Sequence, residues 1–293
     1  MRRWRLNSGY CGNTDQRRTR AGTIPTLKHY IERDSGEFFS TGTWTPAEIS
    51  TVFWLDAATS STITIATGVS TWADRKGGGV NATQATGSLQ PSYSATAFPG
   101  SLPGVLFDGV DDTLEIATTA QQNLTHGVYC VFSRSGAGTG ANTYRPTISC
   151  LNAAKSDIGA LHYIKNSNNF GASYPYAGLP LANNYDLGSG TVYSNNVGNI
   201  IAFQSNSTGW GVWRNGTIEG TTNTFAPPNS TNTGYALARQ FGNARQSNLV
   251  FGEVIMVQTT DTTTRQLIEG YLAWKWGLQA SLPSNHPYKN SAP

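Results

Sequence analysis

Short apolar runs follow one another along most of this chain. They are TVFWLDA, TITIAT, PGVLF, TLEIA, GVYCVFS, RPTISC, NIIAFQ, GWGVWR, TGYALAR and LVFGEVIMV, separated by clusters of Gly, Asn, Asp, Ser and Pro. Runs of this length, rich in β-branched and aromatic residues and closed by turn formers, read as strands. The 32 glycines and 13 prolines supply the turns, and 293 residues suffice for one large β domain with a full core. The chain is therefore expected to be all-β. In GWGVWRNGTIE the Asn215-Gly216 pair predicts a tight two-residue hairpin, since both central positions of such a turn need positive φ.

Helical signals stand at the two ends of this strand region. Thr45, Pro46 and Glu48 form a capping-box pattern that predicts a short opening helix. Near the C-terminus, Asp261 or Thr262 can cap a helix in which Leu267, Ile268, Tyr271, Leu272 and Lys275 share one face. On that face Lys275 is expected to bury its aliphatic stem, and Gly277 marks the stop. The tail LPSNHPYK, with two prolines, is expected to run extended across the body.

Charge is unevenly distributed. Residues 1 to 28 carry seven Arg or Lys against Asp15 alone, a net +6, while the whole chain is +3, so the remainder is −3. Residues 1–43 read as a docking arm, with Arg2, Arg3, Arg5, Arg17, Arg18 and Arg20 as its contacts, and residues 44–293 as the folded domain. The arm has too few apolar residues to build its own core. A protein partner is favoured over nucleic acid, because the arm matches no folded nucleic-acid module. No apolar stretch approaches the ~20 residues of a membrane span, and no secretory signal is evident at the N-terminus. Cys11, Cys130 and Cys150 are widely spaced, which points to neither a disulfide framework nor a zinc site. Cys130, inside GVYCVF, reads as a buried free thiol.

Taken in order, WTPAEIS, FWLDA, TWADRKGGGVNATQ with QPSY, PGVLFDGVDDTLEI, FGEVIMV and RQLIEGYLAWKWGLQASLPSNHPYK resemble the concanavalin A-like lectin/glucanase jelly roll in its laminin G-like form. The resemblance spans about Trp44 to Lys289. It implies an antiparallel two-sheet sandwich, with FDGVDD between neighbouring strands. Domains of this kind occur in bacterial surface and secreted proteins and in bacteriophage structural proteins. With the export signal missing, the resemblance leads to a non-enzymatic virion component of a bacteriophage, such as a capsid decoration, head fibre, tail or neck protein. In that reading the arm docks on other virion proteins and the chain is a homo-oligomer. A carbohydrate-binding adhesin for host surface polysaccharide is the alternative, and a glycoside hydrolase comes third.

The search for chemistry gives little to support catalysis. Glu32, Asp34 and Glu37 match the Glu-x-Asp-x-x-Glu pattern of the glucanase branch, but they precede the sandwich, and Arg33, Ser35 and Gly36 intervene where a cleft strand would place apolar residues. There is no nucleophile elbow, phosphate loop or HExxH, and the four histidines are scattered. His286 reads as a packing or surface residue, and Trp72, Trp274 and Trp276 as structural. For sugar binding, which needs aromatic faces beside polar side chains, the candidates are Asn168, Asn169, Tyr174, Tyr176 and Trp210, with Trp213 also in reach. Asp108, Asp111 and Asp112 are expected to build a turn; calcium is a weaker reading of them, since their spacing is not that of an EF-hand. No cofactor is expected.

Overall fold

The structure is a computed structural model that describes residues 44–120, 125–136, 144–152, 157–165, 170–171, 193–222, 232–240 and 245–293. Among the described residues the strands form two eight-stranded antiparallel sheets and one small two-stranded sheet. In the first large sheet the order is Thr217–Thr222, Gly209–Arg214, Gly198–Asn206, His126–Arg134, Asn248–Val257, Leu102–Asp108 and Ser92–Phe98. Thr51–Asp56 also pairs with Asn248–Val257, on its second half, whereas Leu102–Asp108 pairs with its first half. The second sheet runs Phe170–Gly171, Asp157–Lys165, Tyr144–Asn152, Asn232–Leu237, Leu114–Ala117, Ala82–Thr83, Val69–Trp72 and Ile63–Ile65. The expected all-β two-sheet sandwich is what forms.

Side-chain alternation explains how the layers meet. Phe53 and Leu55 point into the space between the sheets, where Phe53 meets Tyr235 of the second sheet edge-on at 6.3 Å. Val105 and Phe107 of one sheet and Leu114 and Ile116 of the other are also fully buried in this core. Trp54 and Asp56, with the opposite parity, face away from it. They are buried all the same, because the helix Thr262–Lys275 covers the outer face of the first sheet and packs on Gly198–Asn206 and His126–Arg134. This third layer accounts for the near-continuous burial of the central strands His126–Arg134, Gly198–Asn206 and Asn248–Val257.

Several local expectations hold. Pro46–Glu48 is a 3-10 helix whose capping box is complete, with Thr45 N–H donating to Glu48 Oε1 at 3.1 Å. Asp261 caps the long helix by accepting from Thr264 N–H at 2.7 Å. Asn215 and Gly216 have φ of 48° and 79°, as the tight hairpin requires. Cys130 and Cys150 are buried and in no disulfide, and burial pushes the Cys130 thiol up to about 12.

Three expectations need correction. The tail after Leu282 does not run extended. It turns twice, through His286 N–H to Pro283 O and Lys289 N–H to His286 O, both at 3.0 Å, and Lys289 Nζ pins it by donating to the carbonyls of Gln279, Ala280 and Leu282. Lys275 buries its ammonium as well as its stem, because two carboxylates wait there. Finally, FDGVDD does lie between consecutive strands, but these belong to different sheets, so the strands it links are not paired neighbours and the turn is an arch across the rim of the sandwich. Residues 1–43, with Arg2, Arg3, Arg5, Arg17, Arg18 and Arg20, lie outside the described residues.

Candidate functional site

The arch from Asp108 to Thr113 brings acidic side chains together at one end of the sandwich. Gly109, with φ of 77°, makes the reversal, and Asp108 Oδ1 accepts from the amides of Val110 at 2.8 Å and Asp111 at 3.4 Å. Asp112 Oδ2 reaches back to the Asp108 amide at 2.9 Å. These bonds satisfy the arch backbone, which is why short carboxylates suit it. Carboxylate oxygens of Asp108, Asp111 and Asp112 consequently lie within 4.8 Å of one another, with Asp108 exposed, Asp111 half-buried and Asp112 buried. Burial, helped by the charges of Asp108 and Asp111, pushes the Asp112 carboxyl up to about 6.

Two polar side chains tie this arch to the neighbouring strands. Asn248 Nδ2 donates to Asp108 O at 3.1 Å, and Thr113 Oγ1 donates to Leu237 O at 3.2 Å. Beside it, Asn248 O accepts from Ser135 N–H at 3.1 Å, and Arg134 donates to Gly136 O at 3.0 Å. The rim thus presents carboxylate oxygens of Asp108 and Asp111 to solvent. Such a surface can accept hydrogen bonds from hydroxyl groups. The three Asp residues are also the described residues that could hold a hard cation, although they offer only three of the roughly six to eight oxygens that calcium takes.

The other predicted site residues do not join this cluster. Trp210 is only 4% exposed and packs against Phe203 with ring centroids 5.9 Å apart, so it is a core residue and offers no face to a sugar. Trp213 is half-buried under the Arg265 guanidinium, 4.5 Å from its ring centre. Trp72 and Trp276 are core residues, and Trp274 Nε1 donates to Tyr288 O at 2.8 Å, in keeping with their structural reading. Asn168, Asn169, Tyr174 and Tyr176 lie outside the described residues, as do Glu32, Asp34 and Glu37.

A second polar assembly was not foreseen from sequence. Asp56 and Glu253 are directly opposite each other on paired strands, an arrangement that repels unless a cation intervenes. Lys275, from the last turn of the helix, is that cation: its Nζ lies 2.7 Å from Asp56 Oδ1 and 2.8 Å from Glu253 Oε2. Around them Trp54 Nε1, Tyr271 OH and Trp276 Nε1 all donate to Glu253, and Arg75 Nη1 donates to Asp56 Oδ2 at 3.1 Å. Gly252 makes room for this packing, because a Cβ there would meet the Trp276 ring at 2.8 Å. Further along the helix, Arg265 Nη1 contacts both oxygens of Glu269 at 2.9 and 2.8 Å, and His286 Nε2 stands 3.3 Å from Glu269 Oε2. His286 is thus a packing residue. The available signal was an acid inside an apolar strand, LVFGEVIMV, and a lysine on the apolar face of a helix.

No protein-family model matches the chain, and no curated protein matches it in sequence. Its fold is similar to part of solved sialidases. One is Trypanosoma rangeli sialidase, with a TM-score of 0.51 and 10% identity over 81% of this chain and 35% of that one. The same enzyme in complex with a difluorinated nononic acid gives a TM-score of 0.50 and 13% identity, over 73% of this chain and 31% of the other. This chain therefore spans about a third of the length of the sialidases it is similar to. These likenesses show the fold alone, a β-sandwich similar to part of those sialidases. They correct the sequence reading of a bacteriophage virion component, because the fold is similar to that of part of the sialidases.

Proposed function

We propose that this chain is a concanavalin A-like carbohydrate-recognition sandwich that binds glycan without hydrolysing it. The observation that carries the reading is the acidic rim, where Asp108, Asp111 and Asp112 hold carboxylate oxygens within 4.8 Å of one another beside Asn248. Carboxylates and backbone carbonyls are acceptors only, and sugar hydroxyls are the matching donors. The fold shared with part of the sialidases supports a glycan ligand. The ligand class is a neutral polysaccharide, since three clustered carboxylates repel an anionic sugar such as sialic acid.

The disposition of the acids supports binding over hydrolysis. A glycosidase needs two carboxyl groups flanking the scissile bond, one as acid and one as base or nucleophile. In the arch, Asp108 Oδ1 and Asp112 Oδ2 are both engaged by turn amides. Asp56, Glu253 and Glu269 are buried against cations. A glycan array probed with the full chain tests this reading. Retention on neutral polysaccharides, lost in the Asp108→Asn/Asp111→Asn double variant and accompanied by no reducing-end release, is expected. An array without neutral hits, or hydrolysis of any bound glycan, would refute it.

A further inference from the structure

We propose that Lys275 and Asp56 condense into an intramolecular amide, with Glu253 carrying the protons between them. The reacting groups are already in contact, Nζ to Oδ1 at 2.7 Å, and their side chains are 2% and 1% exposed. Glu253, wholly buried, touches the same nitrogen through Oε2 at 2.8 Å. Three different elements supply the trio: the strand Thr51–Asp56, the strand Asn248–Val257 and the last turn of the helix Thr262–Lys275. Aromatic rings of Trp54, Tyr271 and Trp276 enclose it, with Lys275 Nζ 5.4 Å from the centres of both the Tyr271 and Trp276 rings.

This environment removes the usual obstacles to amide formation. In water an ammonium and a carboxylate are stable ions, well hydrated and seldom aligned. Here burial has stripped their hydration, and the fold holds them at reacting distance, which replaces a bimolecular encounter by an intramolecular one. Burial also raises the Glu253 carboxyl above its ordinary range, against the opposing charge of Lys275, so that it can hold a proton and pass it on. On the acceptor side, Asp56 Oδ2 takes hydrogen bonds from Arg75 Nη1 at 3.1 Å and Thr59 Oγ1 at 2.9 Å. These donors stabilise the negative charge that builds on Oδ2 when nitrogen adds to Cγ.

The step balances without a co-reactant. Glu253 takes a proton from the Lys275 ammonium, and the free amine attacks Asp56 Cγ. The Nζ–Cγ bond forms and the Cγ–Oδ1 bond breaks. Two protons leave the nitrogen, both pass by way of Glu253 to Oδ1, and that oxygen departs as water. Glu253 ends in the state in which it began, and no atom changes oxidation state. The product ties the first strand of the sandwich to its last helix, so that the chain between residues 56 and 275 becomes a closed loop.

Intact mass of the full chain under denaturing conditions tests this directly. The wild type is expected one water lighter than its sequence, with a cross-linked tryptic species containing both Asp56 and Lys275 and no cleavage after Lys275. Glu253→Gln, which keeps the shape and can accept from only one of the two tryptophans, is expected at full mass with wild-type circular dichroism. Should that variant not fold, Lys275→Arg keeps a cation beside both carboxylates but is no nucleophile, and it too is expected at full mass. A folded wild type at full sequence mass, ordinary cleavage after Lys275, or water lost at another site overturns the proposal. Persistence of the water loss in Lys275→Arg also overturns it.

Discussion

Asp112 folds back on Asp108, its Oδ2 accepting the Asp108 amide at 2.9 Å, while the Asp108 side chain caps the amides of Val110 and Asp111. Each carboxylate thus serves the backbone of the same arch as it crosses between the sheets. The cost is electrostatic. Asp112 is 8% exposed and shares its surroundings with two more acids, so its charged form is disfavoured.

That cost has a pH signature. The Asp112 carboxyl rises from 3.8 to about 6 on folding, so between those values the folded chain binds more protons than the unfolded one. Stability from this group is therefore present at low pH and falls as pH rises through that window, and it stays lost above about 6. Asp112→Asn keeps the acceptor and removes the charge, and it is expected to raise stability by roughly 1 kcal/mol at pH 7. Urea unfolding of both proteins at pH 4 and pH 7 reads the difference. An advantage for the variant that is equal at both pH values would show that the carboxylate charge is not its source.

Gly252 lies at an irregularity in the pairing of Asn248–Val257 with His126–Arg134, directly under Trp276. A methyl group there would stand 2.8 Å from the buried indole ring, whose own Nε1 is fixed on Glu253 at 2.7 Å. Gly252→Ala is expected to cost about 1–3 kcal/mol, the usual range for overpacking a full core. Chemical denaturation measures it. A change within a few tenths of a kcal/mol would mean that Trp276 can move aside.

Much of the fold was legible because burial and sequence agree where a strand faces one core. TVFWLDA, GVYCVFS and LVFGEVIMV announce their strands through high apolar content, interrupted by Asp56 in the first and by Glu253 in the last. Ser92–Phe98 was missed for the complementary reason: as an edge strand, SYSATAF leaves most of its side chains in contact with solvent and carries no apolar alternation. The rim acids were legible as a turn, since their partners lie within four residues. The arch between two sheets was not, because local spacing does not reveal which sheet receives the next strand. Trp210 misled, as an aromatic beside glycines looks the same whether it lines a cleft or fills a core. The ion cluster was hidden most thoroughly, because Lys275 is far in sequence from Asp56 and 22 residues from Glu253, and only the folded sandwich makes them neighbours.

Glu269 organises the other buried cluster and holds the C-terminal tail. It is fully buried, grips Arg265 through both oxygens and meets His286 Nε2 at 3.3 Å, while His286 Nδ1 accepts the Tyr288 amide at 3.2 Å. Glu269→Ala would leave the Arg265 guanidinium buried over Trp213 without its carboxylate, and is expected to cost about 3–5 kcal/mol. Glu269→Gln keeps the shape and an acceptor, so a smaller loss of about 1–2 kcal/mol is expected. In both variants the tail should loosen before the sandwich does, because His286 loses its charged partner while the sheets keep theirs. Hydrogen exchange is the measurement: the amides of His286, Tyr288 and Lys289 are expected to exchange faster in Glu269→Gln, with those of Val128 and Val254 unchanged. Faster exchange across all five amides would show that Glu269 supports the sandwich as a whole, and unchanged exchange at Tyr288 would show that it does not hold the tail.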